Sequence, residues 1–148
     1  TALTVATNMY NALIQHDTKH KDYYLDNFKA LEKSIQQTDS IVKSYVAEAP
    51  TKSFIIFHPA LSYFAEQYGL HQYSIEVDGK NPTPRQIAEL VKKAKQENIK
   101  VIFMQEEYDI KNAEPIAKET GARIVIINPL SYNWDQELIK IAKAIAGK

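Results

Sequence analysis

A chain of 148 residues with 18 basic and 18 acidic side chains carries no formal net charge, and neither sign is blocked into a run, so nucleic acid is not an expected partner and no anionic-membrane surface is encoded. The absence of Cys excludes disulfides, thiolate nucleophiles and thiolate metal sites. The length suits one ordinary core; no stretch approaches the roughly 20 apolar residues that span a bilayer, and no charged-then-apolar leader opens the chain as it stands.

Residues Thr1 to about Gln15 are predicted helical, with Val5, Met9, Ala12 and Leu13 on one stripe; His16-Asp17-Thr18-Lys19-His20 interrupts the pattern. A second helix follows, in which Tyr24, Phe28, Leu31, Ile35, Val42 and Tyr45 recur at helical spacing with no Gly or Pro before Pro50. At 1.5 Å per residue it is about 40 Å long, enough to overhang a domain of ordinary radius. Residues 1–49 therefore read as a helical segment that overhangs, and 50–148 as the α/β domain that follows it.

Beyond Pro50, short apolar runs alternate with amphipathic segments, the pattern of βα units. Strand one is expected at Phe54–Phe57, followed by the amphipathic segment Leu61 to Tyr68 closed by Gly69. Strand two is expected at about Tyr73–Val77, with a loop from Asp78 to Pro82. Thr83-Pro84-Arg85-Gln86 then reads as a capping box with Pro at the first helical position, opening a helix over Arg85 to Asn98. Strand three is Val101–Met104, with Gln105-Glu106-Glu107 as the turn after it and a helix closing at Gly121; Pro115 requires that helix to start late, near Asn112, or to kink. Strand four is Arg123–Ile127, and a final amphipathic helix runs from Gln136 to Ala146.

Right-handed crossovers then imply an α/β fold: a four-stranded parallel sheet with helices on both faces, in the order two-one-three-four, preceded by the long helix. The switch point of that order lies between strands one and three, so His58, the Gln105 to Glu107 turn and Asn128 converge on one rim, where open α/β sheets bind ligands. Pro59 cannot continue the ladder, and the imidazole of His58 is placed where strand one leaves the sheet.

From its residue type alone, His58 is a metal ligand through neutral imidazole, a general base, or a cap of the next helix. Glu106 and Glu107 offer hard oxygen ligands or a base on the same rim, and are otherwise solvated. Asn128 supplies an uncharged carbonyl oxygen, or caps its own turn. His16 and His20 have the i, i+4 spacing of a helical zinc pair but straddle the break between helices, and read as surface histidines. Ser62 lies one helical turn beyond His58, without an identifiable orienting acid or oxyanion hole. Tyr132 and Trp134 beside Asn128 are a sugar or peptide platform, or they cover the core or meet another domain. There is no G-x-G-x-x-G, P-loop or G-x-S-x-G.

His58-Pro59-Ala60-Leu61-Ser62-Tyr63-Phe64 with Tyr68-Gly69-Leu70, then Pro82-Thr83-Pro84, Val101-Ile102-Phe103, Ile116-Ala117-Lys118-Glu119-Thr120-Gly121-Ala122 and Asn128-Pro129-Leu130, resembles the zinc- and manganese-binding solute-binding proteins of bacterial ABC transporters. The resemblance implies two α/β lobes joined by a long helix, with the metal between them, and a chain comprising the connecting helices and the C-terminal lobe. It implies a metal ligand at His58, with two further imidazoles from the other lobe or its junction. A fourth carboxylate, an Asp before the Pro-Leu of the last strand's loop, is Asn128 here, which leans the site toward three imidazoles and Zn²⁺ over a carboxylate-rich Mn²⁺ site. Glu106 is the remaining oxygen candidate. The implied role is a periplasmic or lipid-anchored receptor that hands its metal to a membrane permease and performs no catalysis.

Two other classes stay open on the residues: a flavodoxin-like or nucleotide-binding enzyme domain using His58 and Glu106, and a helical interaction module. In the second, the long helix is a coiled-coil seam that includes Phe28 and Ile35; separately, the face carrying Tyr24 and Phe28 outruns the lobe and is expected to pair with another copy of the chain or to remain partly exposed.

Overall fold

The computed structural model describes residues 1–76, 79–80 and 82–148. The chain divides into two compact units, Thr1–Ile41 and Val42–Lys148.

In the first unit, α1 (Ala2–His16) is capped by the Thr1 side chain, which accepts from the Thr4 N–H, and a 3-10 turn at Thr18–His20 leads into α2 (Lys21–Glu48). The stripe expected from Val5, Met9 and Leu13 is the exposed one, at 58%, 61% and 44%. The face that packs carries Ala6, which is buried, and Tyr10, whose ring stacks on Phe28 at 4.8 Å. Tyr10 thus covers part of the aromatic face of α2, and the Tyr24 hydroxyl donates to Asp17.

The second unit begins with the last turns of α2, because Val42 and Val46 belong to the core of the sheet. After it come β1 (Ser53–Ile56), α3 (Ser62–Gln67), β2 (His71–Ser74), α4 (Pro84–Gln96), β3 (Val101–Gln105), a 3-10 turn at Ile110–Asn112, α5 (Glu114–Thr120), β4 (Arg123–Ile127) and α6 (Trp134–Ile145). All ladders are parallel and the order is β2-β1-β3-β4, as expected. Alternation along β1 sorts its side chains to two cores. Phe54 and Ile56 pack with Phe103, Leu61 and Ile141, and Ile55 and Phe57 pack with Met104, Ala94 and Ile116. The Phe54 and Phe103 rings meet edge to face at 5.5 Å, a pairing that adds about 1 kcal/mol beyond the area it buries.

Local signals act as read. Thr83 and Gln86 form the full capping box of α4, Pro115 sits in the first turn of a late-starting α5, and Gly121 takes the left-handed conformation at φ 70° that ends it. Two boundaries differ in ways that matter. Gln105 is the last residue of β3 as well as the first of the turn that its carbonyl closes on the Tyr108 N–H, and its side chain is buried in the sheet. Strand β2 starts two residues earlier than expected, at His71, because the backbone pairs Ser53 with His71 although the side chains there are polar. The expected end of that strand at Val77 and the start of its loop at Asp78 lie outside the described residues.

Candidate metal centre

The carboxyl ends of β1 and β3 form the switch point, and His58 stands there one residue past a final ladder bond, Phe57 N–H to Phe103 O at 2.9 Å. Its backbone is held by one buried side chain. The Gln105 amide, 1% exposed, donates from Nε2 to the His58 carbonyl at 2.7 Å, while its Oε1 accepts the His58 N–H at 3.3 Å. The chain can therefore leave the sheet at Pro59 without orphaning the polar groups of the residue before it.

The β1–β2 ladder continues past its strands, with Ile75 N–H donating to Ile56 O and Glu76 N–H to Phe57 O. Extending the register that pairs Ser53 with His71 by five residues places Glu76 opposite His58. The side chains meet, His58 Nδ1 lying 3.1 Å from Glu76 Oε2. The carboxylate is largely shielded, with 12% of its side chain exposed, whereas the imidazole is open at 48%. Tyr108 stacks on the imidazole, with centroids 6.2 Å apart and planes 25° from parallel, and itself rests on Phe57 at 4.6 Å. Glu76 escaped the sequence reading because a strand starting at Tyr73 sets a different residue across from His58. The signal that finds it is the paired register.

Glu106 and Asn128 lie at the ends of β3 and β4 and bind each other. Asn128 Nδ2 donates to Glu106 Oε2 at 3.0 Å, and Asn128 Oδ1 accepts the Leu130 N–H at 3.0 Å. The one oxygen that Asn128 could offer a metal is thus capping its own turn. Its backbone N–H donates to Glu137, which also pairs with Lys140. Glu107 is exposed. Hydrogen bonds join His58 to Gln105 and Glu76 in one group, and Asn128 to Glu106 in another. Among the described residues no three His, Cys, Asp or Glu side chains gather as a metal site.

The other sequence candidates are engaged elsewhere. Ser62 donates to the Pro59 carbonyl at 3.2 Å and accepts from Gln72 at 2.9 Å, so neither bond prepares it as a nucleophile. His20 Nδ1 lies 2.7 Å from Asp17 Oδ2, and this hydrogen bond is the main cause that holds the Asp17 carboxyl below its usual range. Tyr132 is almost fully exposed and covers no core, while Trp134 opens α6.

Comparison with known proteins adds three findings. The family described as "ZnuA: Zinc-uptake complex component A periplasmic" matches residues 1–145. The high-affinity zinc uptake system protein ZnuA of Bacillus subtilis (strain 168) is 32% identical over 125 residues, covering 83% of this chain and 39% of that protein. A crystal structure of ZnuA aligns with a TM-score of 0.88 at 30% identity over 95% of this chain and 55% of that one, and a ZnuA deletion mutant with zinc bound aligns at 0.85 and 31%, over 95% and 54%. The chain therefore spans between about two fifths and about half the length of these relatives.

Proposed function

Because the chain belongs to the ZnuA family of zinc-uptake components, we propose that it is the C-terminal lobe and connecting helices of a solute-binding protein that carries Zn²⁺ to an ABC importer. Residues 1–49 serve as the connecting segment and 50–148 as the lobe that presents His58 to the metal. The cargo is Zn²⁺ in preference to Mn²⁺, since the lobe offers an imidazole and has no carboxylate at Asn128 to complete a hard oxygen site. The protein works outside the cytoplasm, periplasmic or lipid-anchored, with a membrane permease as its partner, and it binds and releases without catalysis.

The observation that carries this reading is the presentation of His58: an open imidazole on a locked backbone at the switch point of the sheet, in a chain of this family. One imidazole cannot complete a zinc site, so the remaining ligands come from outside residues 1–148 and the lobe by itself binds zinc weakly. Calorimetric titration with Zn²⁺ tests this on the wild type, His58→Ala and the double variant His16→Ala/His20→Ala. Weak heat abolished only by His58→Ala is expected. A nanomolar one-to-one site, or one lost in the double variant and kept in His58→Ala, refutes the reading.

A further inference from the structure

Among the described residues, Glu76 is the one titratable side chain in hydrogen-bonding contact with His58, and the sheet register puts it there. An ionised carboxylate only accepts hydrogen bonds, so across 3.1 Å the imidazole must be the donor and Nδ1 must carry the proton. In neutral imidazole that leaves the lone pair on Nε2, the nitrogen on the far edge of the ring from Glu76. Free histidine in water favours the opposite tautomer, with the proton on Nε2, which offers a metal no lone pair at that edge.

We infer that Glu76 is a positioning residue for the metal site: it selects the Nδ1–H tautomer of His58 and fixes the ring so that Nε2 is the donor atom offered to Zn²⁺. The inference rests on the reading of His58 as a zinc ligand. Three contacts act on different parts of the residue. Gln105 holds the backbone, Tyr108 lies along the ring face, and Glu76 holds the Nδ1 edge. Tyr108 alone would allow a ring flip, which puts Cδ2 in the place of Nδ1 and Cε1 in the place of Nε2 while keeping the stack; Glu76 opposes it, because Nδ1 and not Cδ2 can hydrogen-bond to the carboxylate. A carboxylate behind a metal-bound imidazole also raises its basicity, and loss of such a partner typically costs 10–100-fold in metal affinity. The shielding of Glu76 limits the competition of water for its carboxylate, whereas the His58 side chain as a whole stays open to solvent.

The test is the tautomer of His58 in the metal-free chain. Long-range ¹H–¹⁵N spectra of the ¹⁵N-labelled protein, at a pH where imidazoles are neutral and with His58→Ala for assignment, read both ring nitrogens. A protonated Nδ1 and an unprotonated Nε2 are expected in the wild type. Glu76→Ala should shift the ring to the Nε2–H form or a mixture, and Glu76→Gln, whose amide oxygen still accepts, should restore Nδ1–H. In parallel, Zn²⁺ binding should weaken roughly 10–100-fold in Glu76→Ala and substantially less in Glu76→Gln. An Nε2–H wild type, or a tautomer unmoved by Glu76→Ala, overturns the inference. So does a Glu76→Gln loss as large as that of Glu76→Ala with Nδ1–H retained, which would make Glu76 a direct ligand. If the tautomer behaves as expected but Zn²⁺ leaves the ring unaltered, the zinc reading of His58 fails and the tautomer assignment stands.

Discussion

Gln105 closes a two-bond clasp on the backbone of His58, giving a hydrogen bond to its carbonyl and taking one from its N–H, from a position inside the sheet. The clasp joins the ends of β1 and β3 at the point where the chain turns away to Pro59. Gln105→Leu keeps the bulk but leaves both backbone groups without their partner, at a cost of roughly 2 kcal/mol or more. Urea unfolding should show a lower midpoint with an unchanged slope, together with weaker Zn²⁺ binding. Unchanged stability would mean that solvent satisfies these groups and that the clasp does not set the ligand.

The opposite end of the sheet is devoted to stability. Glu97, at the end of α4, accepts from the Ser53 hydroxyl at 2.5 Å and the Tyr73 hydroxyl at 2.7 Å and pairs with Lys93 at 2.9 Å, tying a helix to β1 and β2. These partners, Ser53 foremost, push its carboxyl down to about 2. Because the folded value lies below the unfolded one, the contribution is fully present above the ordinary carboxylate range and is lost as pH falls toward the folded value. Glu97→Gln should therefore destabilise by roughly 1–2 kcal/mol at neutral pH, with the gap to wild type closing as pH falls from about 5 to about 2. Urea midpoints across that range check it, and a gap independent of pH would contradict it.

Asn128→Asp tests the second pair of the rim. The new carboxylate would still accept from Leu130 but could no longer donate to Glu106, and two like charges would face each other across a short gap. In metal-free buffer the variant should lose about 1 kcal/mol or less, the site being exposed. Mn²⁺ or Zn²⁺ should recover more stability in the variant than in wild type, since a divalent cation relieves the repulsion it bridges. Thermal melts with and without each metal decide this; equal responses of variant and wild type would remove Asn128 from any metal site.

The strand order and the switch point were legible because three β-branched and aromatic runs and a weaker one around Tyr73 and Ile75, punctuated by Pro and Gly, leave few ways to build a parallel sheet. The place of His58 just past β1 was legible because Pro59 marks where the chain must leave the sheet. Glu76 was not, because β2 is an edge strand made of His71, Gln72, Tyr73 and Ser74, and its polar side chains hide the register that the backbone sets. The packed face of α1 was not legible for a related reason. Two apolar stripes run along that helix, and periodicity alone cannot say whether Val5, Met9 and Leu13 or Ala6 and Tyr10 turn inward.

The central claim is that Nε2 of His58 is the metal donor of this lobe, and the ring nitrogens of the four histidines report on it directly during a Zn²⁺ titration of the ¹⁵N-labelled chain. The expected result is a shift of His58 Nε2 ahead of any change at His16, His20 or His71, with Nδ1 still protonated and a dissociation constant in the micromolar range or weaker. A His58 ring left unmoved while another histidine responds, or metal arriving at Nδ1 in place of the proton shared with Glu76, would contradict it.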